Sequence, residues 1–291
     1  MKITSAVFPV AGLGTRFLPV TKAGPKEMLA IVDKPLIQYV VEEAVQAGIK
    51  QLIFVTSSNK RSIENYFDSN FELEAHLVEK NKLEVLETVR NILPKDVQAI
   101  YIRQPQPLGL GDAVWRAKGI VGNQPFAVLL ADDIVDSGSD SCLASMVEAY
   151  EQTQSSILGV ENVPREETSK YGIVSLDNDS KVGDATRITG IVEKPKPEDA
   201  PSTLGAAGRY ILTPRIFELL ERIPKGVAGE IQLTDAIAEL LKIEAVYAYP
   251  FKGRRYDCGT KIGFLEATIA YALKREDLKE PLMAYMRKII S

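Results

Sequence analysis

Five residues near the start of the chain have the chemistry to hold a phosphate: Gly12, Gly14, Arg16, Lys22 and Lys26, all within VFPVAGLGTRFLPVTKAGPKEML. The glycines permit positive φ and close backbone approach, the Arg16 fork suits phosphate oxygens, and the lysines add point charges. Two familiar phosphate motifs fail on spacing. A dinucleotide fingerprint needs glycine where Phe17 stands, and a P-loop needs a hydroxyl residue after Gly-Lys, whereas Gly24 is followed by Pro25, Lys26 and Glu27. The segment reads as a strand from Ile3 to Val10 opening into a polyphosphate loop. The plain alternative is a tight strand-to-helix turn with solvated cations.

Five further segments carry candidate groups. LLADD places Asp132 and Asp133 just past a buried strand, where a carboxylate can share Mg2+ with substrate phosphates. Neighbouring strand residues face opposite ways, so only one of the two points into the site. Asp257, in RRYDCGT, is either a second ligand to that metal or a helix cap. In RQPQPLGLGDAV, the Gln104 amide offers a donor beside an acceptor, matching the N3–H and O4 edge of uracil or thymine, with the Gly109 N–H for the remaining ring acceptor. The same stretch also reads as a proline-rich loop ending in an Asp112 N-cap. In IVEKPKP, Glu193 can take two sugar hydroxyls and Lys194 an anomeric phosphate, or both can be a solvated strand end. Gly172, in KYGIV, offers bare backbone to a ligand hydroxyl, or makes a turn.

These groups need a scaffold. Strand patterns at Ser5–Val10, Gln51–Thr56, Val97–Arg103 and Phe126–Ala131 alternate with helical patterns at Leu36–Ala47, Ser62–Asp68 continuing through Phe71–Ile92, and Asp112–Gly119. Such alternation predicts right-handed crossovers and a mostly parallel sheet flanked by helices. After Ser155, SILGVENV, YGIVSL, RITGIVEKP and GAAGRYILTP predict antiparallel additions to the same sheet, with Asp177–Asp184 as a hairpin tip. Helical patterns follow at Pro214–Arg222 and Glu230–Leu241, then the strand-like AVYAYPF and a helical tail from Lys261. The expected fold is α/β and Rossmann-like, in one domain over residues 1–291. Within it, a nucleotide half covers about 1–150, a sugar-phosphate half about 151–258, and the tail 259–291. Ligands of open α/β sheets gather beyond the carboxyl ends of the strands.

Composition narrows the chemistry. With 291 residues, 45% apolar and 25% charged, the chain is neither disordered nor fibrous. A net charge of −4 argues against nucleic-acid binding. No apolar run reaches the roughly 18 residues of a membrane span, and strand-like residues from the first positions leave no signal peptide, so a cytoplasmic location is expected. Cys142 and Cys258 have neither metal-ligand spacing nor a disulfide framework. The one histidine, His76, falls in a charged helical segment. Histidine triads and His-ligated metals are therefore not expected, and carboxylates, cations and backbone must carry any reaction.

Taken together, FPVAGLGTRFLPVTKAGPKEML, DKPLIQYVVEE, VEKPKP, GEIQLTDAI and DCGTKIGF closely resemble the bacterial UTP–glucose-1-phosphate uridylyltransferases, within the sugar-phosphate nucleotidylyltransferases. The opening motif marks the wider family, while DKPLIQYVVEE and GEIQLTDAI point to the uridylyl branch. The resemblance spans essentially the whole chain. It implies transfer of the uridylyl group of UTP to glucose 1-phosphate, dependence on Mg2+, and a homodimer or homotetramer. It also implies that Ala11, Gly12, Gly14, Thr15 and Arg16 form the nucleotide-phosphate loop, with Lys26 touching phosphates during transfer. By the same resemblance, Gln104 and Gly109 read the base, Asp132 and Asp257 hold the metal, Glu193 and Gly172 bind glucose hydroxyls, and Lys194 takes the sugar phosphate. Two positions depart from the family pattern, Asp112 where His is common and Ala131 where Pro is common. The neighbouring expectation is a thymidylyltransferase; one from another class is a binding-only regulatory relative.

Overall fold

The computed structural model describes residues 2–138, 141–226 and 229–290. Nine strands form one sheet: β1 Ser5–Pro9, β2 Gln51–Thr56, β3 Gln98–Arg103, β4 Phe126–Leu129, β5 Ser156–Asn162, β6 Gly172–Val182, β7 Ala185–Glu193, β8 Leu204–Leu212 and β9 Val246–Pro250. Their spatial order is β3-β2-β1-β4-β8-β5-β9-β7-β6. The pairings of β3, β2, β1 and β4 are all parallel, while β8 runs antiparallel to both neighbours and β7 to both of its own. Seven strands thus share one direction and two oppose it. The predicted α/β class with antiparallel additions is what forms.

Successive residues of the central strands feed opposite cores, as the two-residue period of a strand requires. Val7, Ile53, Val55, Phe126 and Val128 face the helices Leu110–Arg116, Ile216–Leu220 and Leu233–Leu240. Ala6, Phe8, Leu52, Phe54 and Leu129 face Leu36–Gln46 and Cys142–Thr153. β4 is buried at every position, which is why its sequence does not alternate. After β1 the chain moves outward to β2 and β3, then returns to β4 on the other side of β1. That reversal places a topological switch point between β1 and β4.

A small antiparallel ribbon, Asp133–Asp136 with Arg254–Asp257, stands beyond β4 and brings Asp257 opposite Asp133. The helix Lys261–Leu273 packs over it through Tyr256, Cys258 and Ala267. No helix among the described residues is long and apolar enough to cross a membrane.

Four local expectations change. The single long helix after Ser62 is three helices, Arg61–Phe67, Phe71–Glu79 and Leu83–Arg90; Asn70 caps the second by accepting the Leu73 N–H at 3.0 Å. The hairpin tip shrinks to Gly183 and Asp184, because β6 continues to Val182. Asp112 is not an N-cap: Gly109 holds that position, and Asp112 lies inside the first turn. Asp257 does not cap the C-terminal helix either, since Thr260 accepts the Gly263 N–H at 3.2 Å.

Candidate active site

The opening loop leaves β1 with the Val10 N–H bonded to the Val55 carbonyl at 2.9 Å. Its two glycines do different jobs. Gly14 has φ +64°, and a Cβ there would press on Lys26 Cβ at 3.3 Å, so the loop needs glycine to close on itself. Gly12 lacks the positive φ expected of both, and a Cβ there would meet nothing within 4 Å. Arg16, in a one-turn helix after Gly14, makes no hydrogen bond or ion pair among the described residues. Lys26 reaches back under the loop and donates to Asp132 Oδ2 at 2.5 Å. Burial opposes its charge, but the carboxylates of Asp132 and Glu27 outweigh that and raise its pKa. Asp132 shows the converse: burial would raise its carboxyl, yet Lys26 and Arg16 hold it low.

A turn after β4 carries Asp132, and the ribbon begins at Asp133. Asp133 is 8% exposed and pairs with Arg255, though it too borders the cleft described below. Burial, with Asp132 and Asp257 nearby, pushes its carboxyl up to about 6 against the pull of Arg255. Asp132 turns toward the cleft. Its Oδ2 and the Oδ1 of Asp257 both lie 2.9 Å from the point a Gly259 Cβ would occupy, with Arg16 Nη1 at 3.5 Å. The bare Gly259 therefore lets two carboxylates and a guanidinium crowd its backbone where a side chain would not fit.

A cleft of about 670 Å³ is lined by Arg16, Asp132, Asp257, Gly172, Glu193 and Lys194 among others. Six of the thirteen candidate residues thus share one wall-to-wall space. Lys26 joins them through Asp132. Gly109 immediately precedes Leu110, a lining residue, while Ala11, Gly12, Gly14 and Thr15 lie on the loop leading to Arg16. Gln104 is buried just past β3, its backbone N–H bonded to the Thr56 carbonyl at 2.8 Å. Its amide does not present a donor and an acceptor together as expected. Nε2 donates to Asp112 Oδ2 at 2.8 Å and to the Gly109 carbonyl at 3.1 Å, so only Oε1 remains. Glu193 and Lys194 close the far end, Lys194 Nζ lying 3.0 Å from Glu193 Oε1. Lys194 has φ +46°, a region L-residues rarely occupy, and its N–H bonds the Tyr171 carbonyl at 2.9 Å. Lys22 takes no part in this cleft, and His76 is a surface residue 4.0 Å from Glu79.

A nucleotidyl transferase family model matches residues 6–274. The UTP–glucose-1-phosphate uridylyltransferase of Bacillus subtilis is 50% identical over 291 residues, covering 100% of this chain and 98% of its own. The chain belongs to the UTP–glucose-1-phosphate uridylyltransferase family. A UTP-bound UGPase of Acinetobacter baumannii superposes with TM-score 0.90 at 48% identity, covering 99% of each chain. A UDP-glucose pyrophosphorylase complexed with UDP-glucose gives 0.85 at 47% identity, covering 94% of this chain and all of that one.

Around this uridylyltransferase-family cleft the sequence reading missed a supporting layer. Arg255 lines the cleft yet is spent on Asp133, Glu161 and, at 2.7 Å, the Tyr171 hydroxyl. The tyrosine in turn leads into Gly172. Lys60 and Glu27 form a buried pair at 2.7 Å directly behind Lys26, 2% and 1% exposed. Burial raises the glutamate carboxyl and lowers the lysine ammonium, and each partner offsets that for the other. Glu230, Gln232 and Thr234 also line the cleft. They fall in GEIQLTDAI, a segment quoted for resemblance but assigned no residue; its single signal was a run of polar side chains before an apolar helix.

Proposed function

We propose that this chain transfers the uridylyl group of UTP to α-D-glucose 1-phosphate, forming UDP-glucose and pyrophosphate. The observation that carries this is the single cleft running from Arg16, past Asp132 and Asp257, to Glu193 and Lys194, in a chain 50% identical end to end to an enzyme of that name. Residues up to about 150 would take the nucleotide, those up to about 258 the sugar phosphate, and the helical tail from 259 would close over the ribbon.

The acceptor is its own nucleophile. A phosphate monoester has a second pKa near 6, so glucose 1-phosphate is largely dianionic at neutral pH. One of its oxygens bonds to the α-phosphorus as the bond to the pyrophosphate oxygen breaks, and no side chain need accept a proton. What the site must do is align two anionic groups and offset charge on the departing pyrophosphate. Ala11, Gly12, Gly14 and Thr15 would cradle the triphosphate with backbone N–H groups, Arg16 and Lys26 would steady the leaving group, and Gln104 with Gly109 would meet the base. Glu193 and the Gly172 backbone would bind glucose hydroxyls, and Lys194 would fix the sugar phosphate.

Asp132 and Asp257 would hold Mg2+. Asp132 Oδ2 accepts from Lys26, and Asp257 Oδ1 from the Gly259 N–H at 3.0 Å, so Asp132 Oδ1 and Asp257 Oδ2 are the hard oxygen donors left for an ion that completes its shell with water and substrate oxygens. Bound there, Mg2+ would neutralise phosphate charge. Asp132→Asn and Asp257→Asn are each expected to raise the Mg2+ concentration for half-maximal rate by at least the roughly 10- to 100-fold that loss of an outer-shell partner costs. Asp133→Asn should act through stability, by freeing Arg255. A metal titration in which only Asp133→Asn shifts the midpoint would reassign the ligand.

The deciding assay is Mg2+-dependent pyrophosphate release with UTP, dTTP, ATP or CTP, each with glucose 1-phosphate. Preference for UTP is the expected outcome. Preference for dTTP would move the chain to thymidylyl transfer with the same site, and silence with all four, alongside UDP-glucose binding, would make it a binding-only relative.

A further inference from the structure

The Gln104 amide is held in one orientation by neighbours that can only accept. Its two Nε2 hydrogens go to Asp112 Oδ2 and the Gly109 carbonyl. Arg116, one turn beyond Asp112, donates from Nη2 to Oδ1 at 3.1 Å and from Nε to Oδ2 at 3.4 Å. A carboxylate gripped by a guanidinium, like a backbone carbonyl, has no proton to give. Rotating the amide by half a turn would set Oε1 against two acceptors and lose both bonds. Gln104 is 6% and Asp112 4% exposed, so solvent does not compensate. Among the described residues nothing donates to Oε1, and it is not a fully buried atom. The acceptor is therefore the face left for a ligand.

We propose that Asp112 is a positioning residue for base choice, fixing Gln104 so that the nucleotide meets a hydrogen-bond acceptor and never a donor. This rests on the reading of Gln104 as the base contact. A uracil or thymine ring carries a proton on N3 and satisfies Oε1. Cytosine presents a bare N3 acceptor there, so two lone pairs face each other. Rejection of CTP thus resides one residue behind the residue that touches the base. Asp112→Asn removes the shorter of the two constraints with little change of shape. Arg116 keeps the new amide's oxygen, and the amide nitrogen turns to Gln104 as a donor for the reversed glutamine; only the Gly109 carbonyl then opposes the reversal, so Nε2 as well as Oε1 can face the base.

The test compares kcat/KM for UTP, CTP and 3-deaza-UTP, which has C–H where UTP has N3–H, in the unaltered protein, Asp112→Asn and Gln104→Ala. The unaltered protein is expected to prefer UTP over CTP by at least about 10²-fold, since sites built for one hydrogen-bonding group reject analogues lacking it strongly. It should use 3-deaza-UTP at least about 10-fold less well than UTP. Asp112→Asn should cut the UTP:CTP ratio about 10-fold or more, through nucleotide KM, while the KM for glucose 1-phosphate stays put; a merely structural lesion would move both KM values. An unchanged ratio in Asp112→Asn, with a changed one in Gln104→Ala, overturns the role of Asp112 and leaves the base contact standing. If Gln104→Ala changes neither the ratio nor the UTP KM, the base-contact reading itself is wrong and the inference goes with it. Should Asp112→Asn not fold, equal use of UTP and 3-deaza-UTP by the unaltered protein would overturn the proposal, and a penalty would support it.

Discussion

Arg16→Ala is expected to cost roughly 10²- to 10³-fold in kcat, the loss that follows removal of one preorganised donor to developing negative charge. Two observations make the effect catalytic and not structural. The guanidinium makes no hydrogen bond or ion pair among the described residues, and it sits in a one-turn helix whose only buried residue is Phe17. Stability should therefore stay within about ±0.5 kcal/mol, as for most surface substitutions. Yet Arg16 lines the same cleft as Asp132 and Asp257, where phosphate charge would be concentrated. Single-turnover rates at saturating substrates, with a thermal melt beside them, check both halves. Normal turnover would remove Arg16 from the reaction.

The opposite profile is expected for Arg209→Met. Arg209 is fully buried in β8, and all its N–H groups are spent. Nε and Nη2 hold Glu43, the latter at 2.7 Å; Nη1 reaches the Leu130 and Gly208 carbonyls at 3.3 and 3.1 Å, and Nη2 the Asp133 carbonyl at 2.7 Å. Burial opposes the charge, and the Glu43 carboxylate outweighs it. Methionine fills much of the volume but strands Glu43, which lies 8% exposed. Breaking one side of a buried pair costs about 3–5 kcal/mol, a large part of the 5–15 kcal/mol typical of whole domains. Urea denaturation should register that loss. Replacing both residues, Glu43→Gln with Arg209→Met, should recover a good part of it, because no charge is then left alone. A single variant as stable as the parent would mean that the pair is not what holds the turn. Since the guanidinium tethers the carbonyls on either side of Asp132, a higher Mg2+ concentration for half-maximal rate should accompany the loss.

Where the sequence was legible, the signal was local. The strand-to-loop transition at Val10 and the strand end at Gln104 follow from a two-residue period and from turn chemistry. The choice of Asp132 over Asp133 comes only with the family resemblance, since both lie past the end of β4 at Leu129 and Asp132 sits in a turn. Arg209 was invisible for the opposite reason: it is an arginine in an apolar strand, and its partner stands 166 residues earlier. Only the placement of β8 beside β4 brings them together. The helix-cap alternative for Asp112 rests on the frequency of acidic residues near helix starts; its engagement with Gln104 needs the loop between them to fold back. The merged helix after Ser62 arose because apolar periodicity ran on across Asp68 and Asn70, whose side-chain bonds to backbone N–H groups break it.

The position of β8 also has a bearing on how the protein is made. β4 and β5 are not neighbours; they stand one strand apart, and β8 fills the slot between them. A growing chain that has reached Leu129 must carry one side of β4 unpaired until Leu204–Leu212 emerges, about 75 residues later. At about 5–20 residues per second that interval is roughly 4 to 15 s. Throughout it, a strand buried at every position in the finished fold offers open N–H and C=O groups to any extended segment nearby, the situation in which edge strands pair wrongly. Arg209 travels on the strand that ends this exposure, so the closing of the slot and the neutralising of Glu43 are one event on the ribosome.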